Sequence, residues 1–227
     1  MLVGIFGNLG SAKTLTLTML TWLYKNVKNA FVACNYRNDC ADLVLSAEEL
    51  LMQISDIGKE HTIKALFLDE LGRILAATAW YTDVNTILGK IFTESRKKGF
   101  DIIYTSQSSM MVDRNVRRIT DIVLLPEYNE RTTKVKIDTY EMKGLYWMKG
   151  EDLDFTGKKY FDLYDTNEII EPNKIAIVDY YTELLKNNKK LYSKVFEITN
   201  KKDRLDYISF HLNVTIKFAK QILLEIQ

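Results

Sequence analysis

The stretch "VGIFGNLGSAKTLTLTML" (3–20) constrains the fold more than any other part of the chain. A short apolar run enters a glycine-bearing turn, and a run compatible with a helix leaves it. Residues 7–14, "GNLGSAKT", differ at one position from the phosphate-loop pattern G-x-x-x-x-G-K-[ST], with Ala12 in place of its last glycine. In that pattern the backbone N–H groups of the turn point at a phosphate, and the next helix adds its N-terminal dipole. Gly7 and Gly10 give the turn its freedom. Lys13 supplies a mobile charge for the terminal phosphates, and Thr14 a hydroxyl for Mg²⁺. Asn8, Leu9, Ser11, Ala12 and Leu15 complete the candidate nucleotide-binding set. If φ is positive at Ala12, its methyl costs on the order of 1 kcal/mol. Taken alone, the stretch also fits an ordinary strand–turn–helix.

The rest of the N-terminal two thirds alternates in the same way. "AFVACN" (30–35), "IKALFLDE" (63–70), "FDIIYTSQ" (100–107) and "DIVLLP" (121–126) read as further buried strands. Residues 13–26, "SAEELLMQISDI" (46–57) and 84–98 read as helices. Ser46 and Glu49 form a capping box, and "SRKKG" places cations in a last turn before Gly99. This alternation predicts an α/β fold, a mostly parallel sheet flanked by helices. "TTKVKIDTYEM" (132–142) alternates polar and apolar residues and predicts an antiparallel edge strand. Residues 143–172 read as a loop-rich connection, and from Asn173 the pattern is helical. The expected division is 1–172 and 173–227. A chain of 227 residues accommodates one α/β domain with a small helical module.

Chemistry concentrates at predicted strand ends. "ALFLDE" is an apolar strand closing on Asp69 and Glu70, which puts both carboxylates at the sheet edge that the phosphate loop shares. Asp69 suits the Mg²⁺ shell with Thr14, and Glu70 suits polarising a water. The same pair also caps helices. Gln107 ends the "FDIIYTSQ" strand, where it can reach a γ-phosphate or serve as a cap. Arg114, Arg117 and Arg118 follow in "VDRNVRR". Cys34 and Cys40 are too few and too oddly spaced for a disulfide framework or a zinc site, and His61 and His211 stand alone.

The net charge of +1 hides a segregation. Residues 90–118 carry seven Lys/Arg against three Asp/Glu, and 186–227 carry nine against four. These segments hold +9 and the remainder −8. Separated charge of this kind suits a polyanion partner or a solvated helix face. No apolar run reaches membrane-spanning length and no leader pattern opens the chain, so a soluble, intracellular protein is expected.

Together, "GNLGSAKT", "ALFLDE", "SRKKGFDIIYTSQ", "VDRNVRR" and "YFDLYDTNE" resemble the zonular occludens toxin-like and viral genome-packaging branch of the FtsK–HerA ATPases over about residues 1–170. The resemblance implies a P-loop NTPase (RecA/FtsK-like) domain that uses ATP and Mg²⁺. It also implies a homo-oligomeric ring, a hexamer, moving double-stranded DNA through its pore. Capsid or portal proteins of the virion would be further partners. The expected location is the host cytoplasm and the virion vertex, without stable membrane insertion. Lys13, Thr14, Asp69, Glu70 and Gln107 carry over by position. Arg96 matches an R-x-x-G element and is the expected trans-acting arginine in preference to Arg117. Ala12 departs from the pattern and puts turnover or affinity in question. A membrane-associated morphogenesis ATPase and a non-catalytic nucleotide-holding DNA-binding module are the alternative functions.

The tail lies outside the resemblance. "DRLDYISFHLNVTIKFAKQILLEI" carries helical periodicity around an "NVT" break. A helix-turn-helix fits, with Thr215 as cap and Lys217 and Lys220 on phosphate. A packing or oligomerisation module with a solvated charged face fits equally.

Overall fold

Strand β1 (Leu2–Phe6) is apolar and buried at every position, so both faces of its sheet must be covered. The computed structural model describes residues 1–53, 57–72, 92, 95, 97, 99–112, 114–144, 146–166, 168, 174–212 and 214–226. The expected helix over 84–98 lies largely outside these, with Phe92 and Ser95 helical. Helix α1 (Lys13–Asn26) follows the loop directly. Then come β2 (Phe31–Cys34), β3 (Leu43–Val44), α2 (Ala47–Met52) and β4 (Lys64–Leu68). β5 (Phe100–Ser106), α3 (Arg114–Ile119) and β6 (Ile122–Asn129) lead to a meander of β7 (Lys134–Lys143), β8 (Tyr146–Lys149) and β9 (Leu153–Thr156). The sheet order is β3-β2-β4-β5-β1-β6-β7-β8, with β9 also on β7. β1 lies parallel between β5 and β6, so the loop leaves the middle of the sheet.

α1 packs over Val3, Ile5, Val32, Phe67 and Ile103. Its other side is also covered. Tyr160 sets its ring edge-on to Trp22 at 6.0 Å, and Gly157 lies so close that a Cβ there would meet Leu15 at 2.7 Å. Thr18 and Thr21 are buried against Tyr36, whose hydroxyl lies 3.4 and 3.1 Å from theirs. The capping box forms: Ser46 Oγ accepts from Glu49 N, and the Glu49 carboxylate accepts from Ser46 N.

Two expectations are corrected. β7 is not an edge strand. β6 pairs with one side of it, and β8 and β9 pair in succession with the other. The alternation that suggested an edge is real, with Val135 and Ile137 buried between exposed lysines. It reports which face is covered and says nothing of the strand's sides. The connection 143–172 therefore holds two strands. β6 also continues past Pro126 to Asn129. Its pairing with β1 stops at Leu124, so the missing N–H of Pro126 faces no β1 partner.

The chain divides into two compact units, residues 1–77 with 88–172, and residues 78–87 with 173–227. In the second, α4 (Lys174–Asn187), α5 (Lys189–Glu197), α6 (Lys201–Leu212) and α7 (Ile216–Glu225) pack on one another. Leu185, Val195, Ile208, Phe218 and Ile222 are buried, and Tyr181 meets Phe218 edge-on at 5.3 Å. Thr215 caps α7 by accepting from Phe218 N at 3.3 Å. Phe218, Ala219, Ile222 and Leu223 form a buried stripe, while Lys217 and Lys220 are exposed.

Candidate active site

Between β1 and α1 the backbone turns left-handed twice, at Gly10 (φ 79°) and at Ala12 (φ 67°, ψ 34°). Position 12 therefore has the conformation for which glycine is the strain-free residue, and alanine carries about 1–2 kcal/mol of strain there. Gly7 is required for space: a Cβ would lie 2.4 Å from Ser11 Oγ. No side chain caps the N-terminus of α1, so its first-turn N–H groups stay open to an anion.

Lys13 is buried, and its ammonium donates to Asn8 O at 3.0 Å, closing across the loop. Burial pulls its pKa down, and the carboxylates of Glu70 and Asp69 oppose that pull. The Thr14 hydroxyl donates to Asp69 Oδ2 at 2.8 Å, joining the loop to the end of β4. Asp69 is itself buried, which pushes its pKa up against the donors Thr105 and Thr14.

Two residues that sequence reading missed hold the acidic pair. Thr105 Oγ1 donates to Asp69 Oδ1 and accepts from Glu70 N at 2.9 Å. Asn35 exchanges two bonds with the Asp69 backbone: Nδ2 donates to the carbonyl at 2.9 Å, and Oδ1 accepts from the N–H at 2.6 Å. Both are polar residues at the carboxyl ends of parallel strands, where such sheets place their sites. Glu70 sits at φ 53°, a second left-handed non-glycine residue, held there by Thr105.

These groups face a cleft of about 280 Å³. Lys13, Thr14, Asp69 and Glu70 line one side. Tyr164, Asp165, Thr166 and Glu168 line the other. That segment is fixed by the loop after β2. Asn38 and Tyr164 form a β-bridge, Asp39 N donates to Leu163 O at 3.0 Å, and Arg37 N donates to Glu168 Oε2 at 2.7 Å. Gln107 is exposed just past β5, where the pairing of Phe6 with Ser106 sets it level with Gly7, and it is not among the cleft-lining residues described. Arg96 lies outside the described residues. Arg114, Arg117 and Arg118 are on α3, away from this cleft, around a separate hollow. Lys217 and Lys220 belong to the second unit.

A family model described as zonular occludens toxin (Zot) matches residues 6–140, more than half of the chain. The chain belongs to the Zot family. The N-terminal domain of zonular occludens toxin from Neisseria meningitidis shares the fold, with a TM-score of 0.50 at 16% identity, covering 72% of this chain and 98% of that one. The genome packaging NTPase B204 of Sulfolobus turreted icosahedral virus 2, solved with ATP-gammaS, is similar at TM-score 0.49 and 11% identity, over 66% of this chain and 96% of that one. Among curated proteins, enolase-phosphatase E1 of Shewanella frigidimarina (strain NCIMB 400) is 28% identical over 144 residues, 58% of this chain. Its Shewanella woodyi (strain ATCC 51908 / MS32) counterpart is 27% identical over 143 residues. The chain spans about 61% and 60% of the length of these two relatives, and the likeness assigns this Zot-family protein no activity. The mostly parallel sheet flanked by helices, with its loop between the central strand and α1, is the P-loop NTPase fold expected from the sequence.

Proposed function

We propose that this Zot-family protein hydrolyses ATP and uses the reaction to move DNA. The observation that carries the proposal is the bond between the Thr14 hydroxyl and the buried Asp69 carboxylate, in a cleft shared by Lys13 and Glu70. The residues fit a magnesium nucleotide. Thr14 and Asp69 offer hard oxygen donors 2.8 Å apart, and the uncapped first turn of α1 lies beside them. A bound Mg²⁺ would draw charge from the phosphate oxygens. Lys13 exchanges its bond to Asn8 O for a terminal phosphate. Glu70 accepts a proton from water, and Thr105 keeps its backbone in the orientation that aims the carboxylate into the cleft. Gln107, level with Gly7, orients the γ-phosphate, and Arg96 serves a neighbour's nucleotide in a homo-oligomeric ring of six.

The basic residues of the second unit are the candidate duplex contacts, and Arg114, Arg117 and Arg118 of α3 are candidate contacts to DNA at a separate place. Packaging of double-stranded DNA in the host cytoplasm, with capsid or portal proteins as partners at the virion vertex, is the reading adopted. The family match favours a second, particle morphogenesis at a membrane. Among the described residues no helix is long and apolar enough to cross one.

Phosphate release measured with and without DNA tests the proposal. Lys13→Ala is expected to lose nucleotide binding. Glu70→Gln is expected to keep binding and to lose hydrolysis by about 10²–10⁴-fold, as for a missing general base. Full activity in either variant overturns the mechanism. A protein that binds nucleotide without releasing phosphate is the non-catalytic module instead.

A further inference from the structure

Alternation along the strands puts Phe6, Tyr104, Val123 and Tyr140 on the sheet face opposite Ile5, Ile103, Leu124 and the α1 core. They floor a hollow of about 530 Å³. Arg114, Arg117 and Arg118 stand on one rim and Trp147 of β8 on another. The floor has satisfied its own polar groups: the Tyr104 and Thr120 hydroxyls bond at 2.8 Å, and Thr120 also donates to Val116 O at 2.9 Å. The rim has not. Among the described residues none of the three arginines forms an ion pair. Arg117 Nε is buried without a hydrogen-bond partner, and among the described residues its NH1 reaches the Met110 sulfur at 3.4 Å.

The hollow therefore offers flat apolar surface inside and unmet positive charge at its mouth. Its occupant must be flat and apolar at one end and anionic at the other. The arginines fall at i, i+3 and i+4 on one helix face, so they suit an occupant with more than one anionic group. A duplex hides its bases in the stack and has no use for an aromatic floor. We propose that this hollow binds single-stranded DNA, seating an unpaired base on Trp147 and Tyr140 with its flanking phosphates on the three guanidiniums. That the strand is DNA rests on the proposed function; the chemistry of the hollow asks only for a single strand. The site also adjoins the cleft through the chain. Phe6 immediately precedes Gly7, and Ser109 lies two residues beyond Gln107. An occupant touches residues flanking both phosphate-sensing elements, so single strands should stimulate hydrolysis.

Fluorescence anisotropy of a labelled twelve-nucleotide oligo-dT, against a duplex of equal length, tests this on the full nucleotide-free chain. Oligo-dT is expected to bind more tightly than the duplex. Trp147→Ala should weaken oligo-dT by about fivefold or more, as for a lost stacking platform, and leave the duplex unchanged. Arg114→Gln with Arg118→Gln should weaken it further and lower the salt slope by about 1.4, at ~0.7 per phosphate contact. Retained binding of an ATP analogue reports that the variants fold. Equal affinity in Trp147→Ala, or a duplex that binds as tightly as the single strand, overturns the proposal. So does displacement by a Glu/Tyr copolymer at matched charge, which assigns the hollow to an acidic protein partner. Absence of phosphate release would sink the ATPase reading and leave these binding results standing. Failure here leaves phosphate release intact.

Discussion

The cleft and the hollow share one sheet and treat charge in opposite ways. In the cleft the two most buried ionic groups have internal partners. Asp69 accepts from Thr14 and Thr105, and Lys13 donates to Asn8 O. In the hollow three arginines have no acidic partner among the described residues, and the buried Arg117 Nε has no acceptor. A catalytic centre gains from groups whose positions are set before substrate arrives, because nothing then reorganises in the transition state. A binding surface gains from charge that only the partner can neutralise. On the proposed reading the cleft works on a ligand and the hollow holds one.

The largest effect that would break this contrast is expected at Asp69. Asp69→Asn removes an anionic oxygen from the Mg²⁺ position, and hydrolysis should fall by about 100-fold or more, the rate equivalent of several kcal/mol. Its stability should move differently. Burial raises the Asp69 pKa in the folded chain. An acid with a raised folded pKa holds more protons folded than unfolded. Wild-type stability should therefore be fullest below the ordinary carboxylate pKa and fall as pH rises toward that of Asp69 itself. Asparagine has no proton to lose, so the variant's thermal midpoint should be flatter from acid to neutral pH. Undiminished hydrolysis would mean that Asp69 is not a metal ligand, and an identical pH profile that it is not a strained charge.

A smaller effect is expected at Thr105. Thr105→Val keeps the shape and removes one donor and one acceptor. A buried carboxylate loses a hydrogen bond and the Glu70 N–H loses its acceptor, a cost of about 1–3 kcal/mol. Thermal denaturation should register ~2–4 °C for each kcal/mol in a chain of this size. Hydrolysis should fall by roughly tenfold, the low end for a residue that orients a ligand, and Thr105→Ser should restore most of it. Oligo-dT binding should not change, because alternation turns Thr105 away from the face that carries Tyr104. Loss of DNA binding in Thr105→Val would show that the two sites are one.

Thr105 also marks the limit of what the sequence discloses. The loop, Asp69 and Glu70 are legible because each follows a continuous apolar strand and is named by local order alone. The capping box at Ser46 and Glu49 is legible for the same reason. Asn35 and Thr105 lie 34 and 36 residues from the acidic pair and reach it only through sheet register. β8 does not read as a strand, because no polar–apolar alternation marks "YWMK"; in the structure all four residues are exposed. What makes it a strand is its register with β7. The Tyr164–Thr166 segment stood out only by resemblance. Its bridge to Asn38 is what brings it to the cleft. The three arginines were visible from the outset. Their place on one rim of an aromatic hollow depends on the pairing of Val123 with Tyr140 across β6 and β7.

The smallest expected effect lies at Ala12, and it asks whether the cleft really is set in advance. With φ 67° and ψ 34°, the residue is held where an L side chain costs about 1–2 kcal/mol. Glycine removes that strain, but it also gives the unfolded chain more freedom, worth about 0.4–1 kcal/mol the other way. Ala12→Gly should therefore leave the thermal midpoint unchanged or raise it by up to about 6 °C. Nucleotide affinity, read by titration, should be kept or tightened by less than about tenfold, since the loop already has its bound shape. Ala12→Val puts a branched side chain in the same conformation and should weaken binding. If glycine instead abolished binding, the left-handed turn at position 12 would not be the phosphate-holding conformation. The cleft would then resemble the hollow, a surface that takes its working shape only from its ligand.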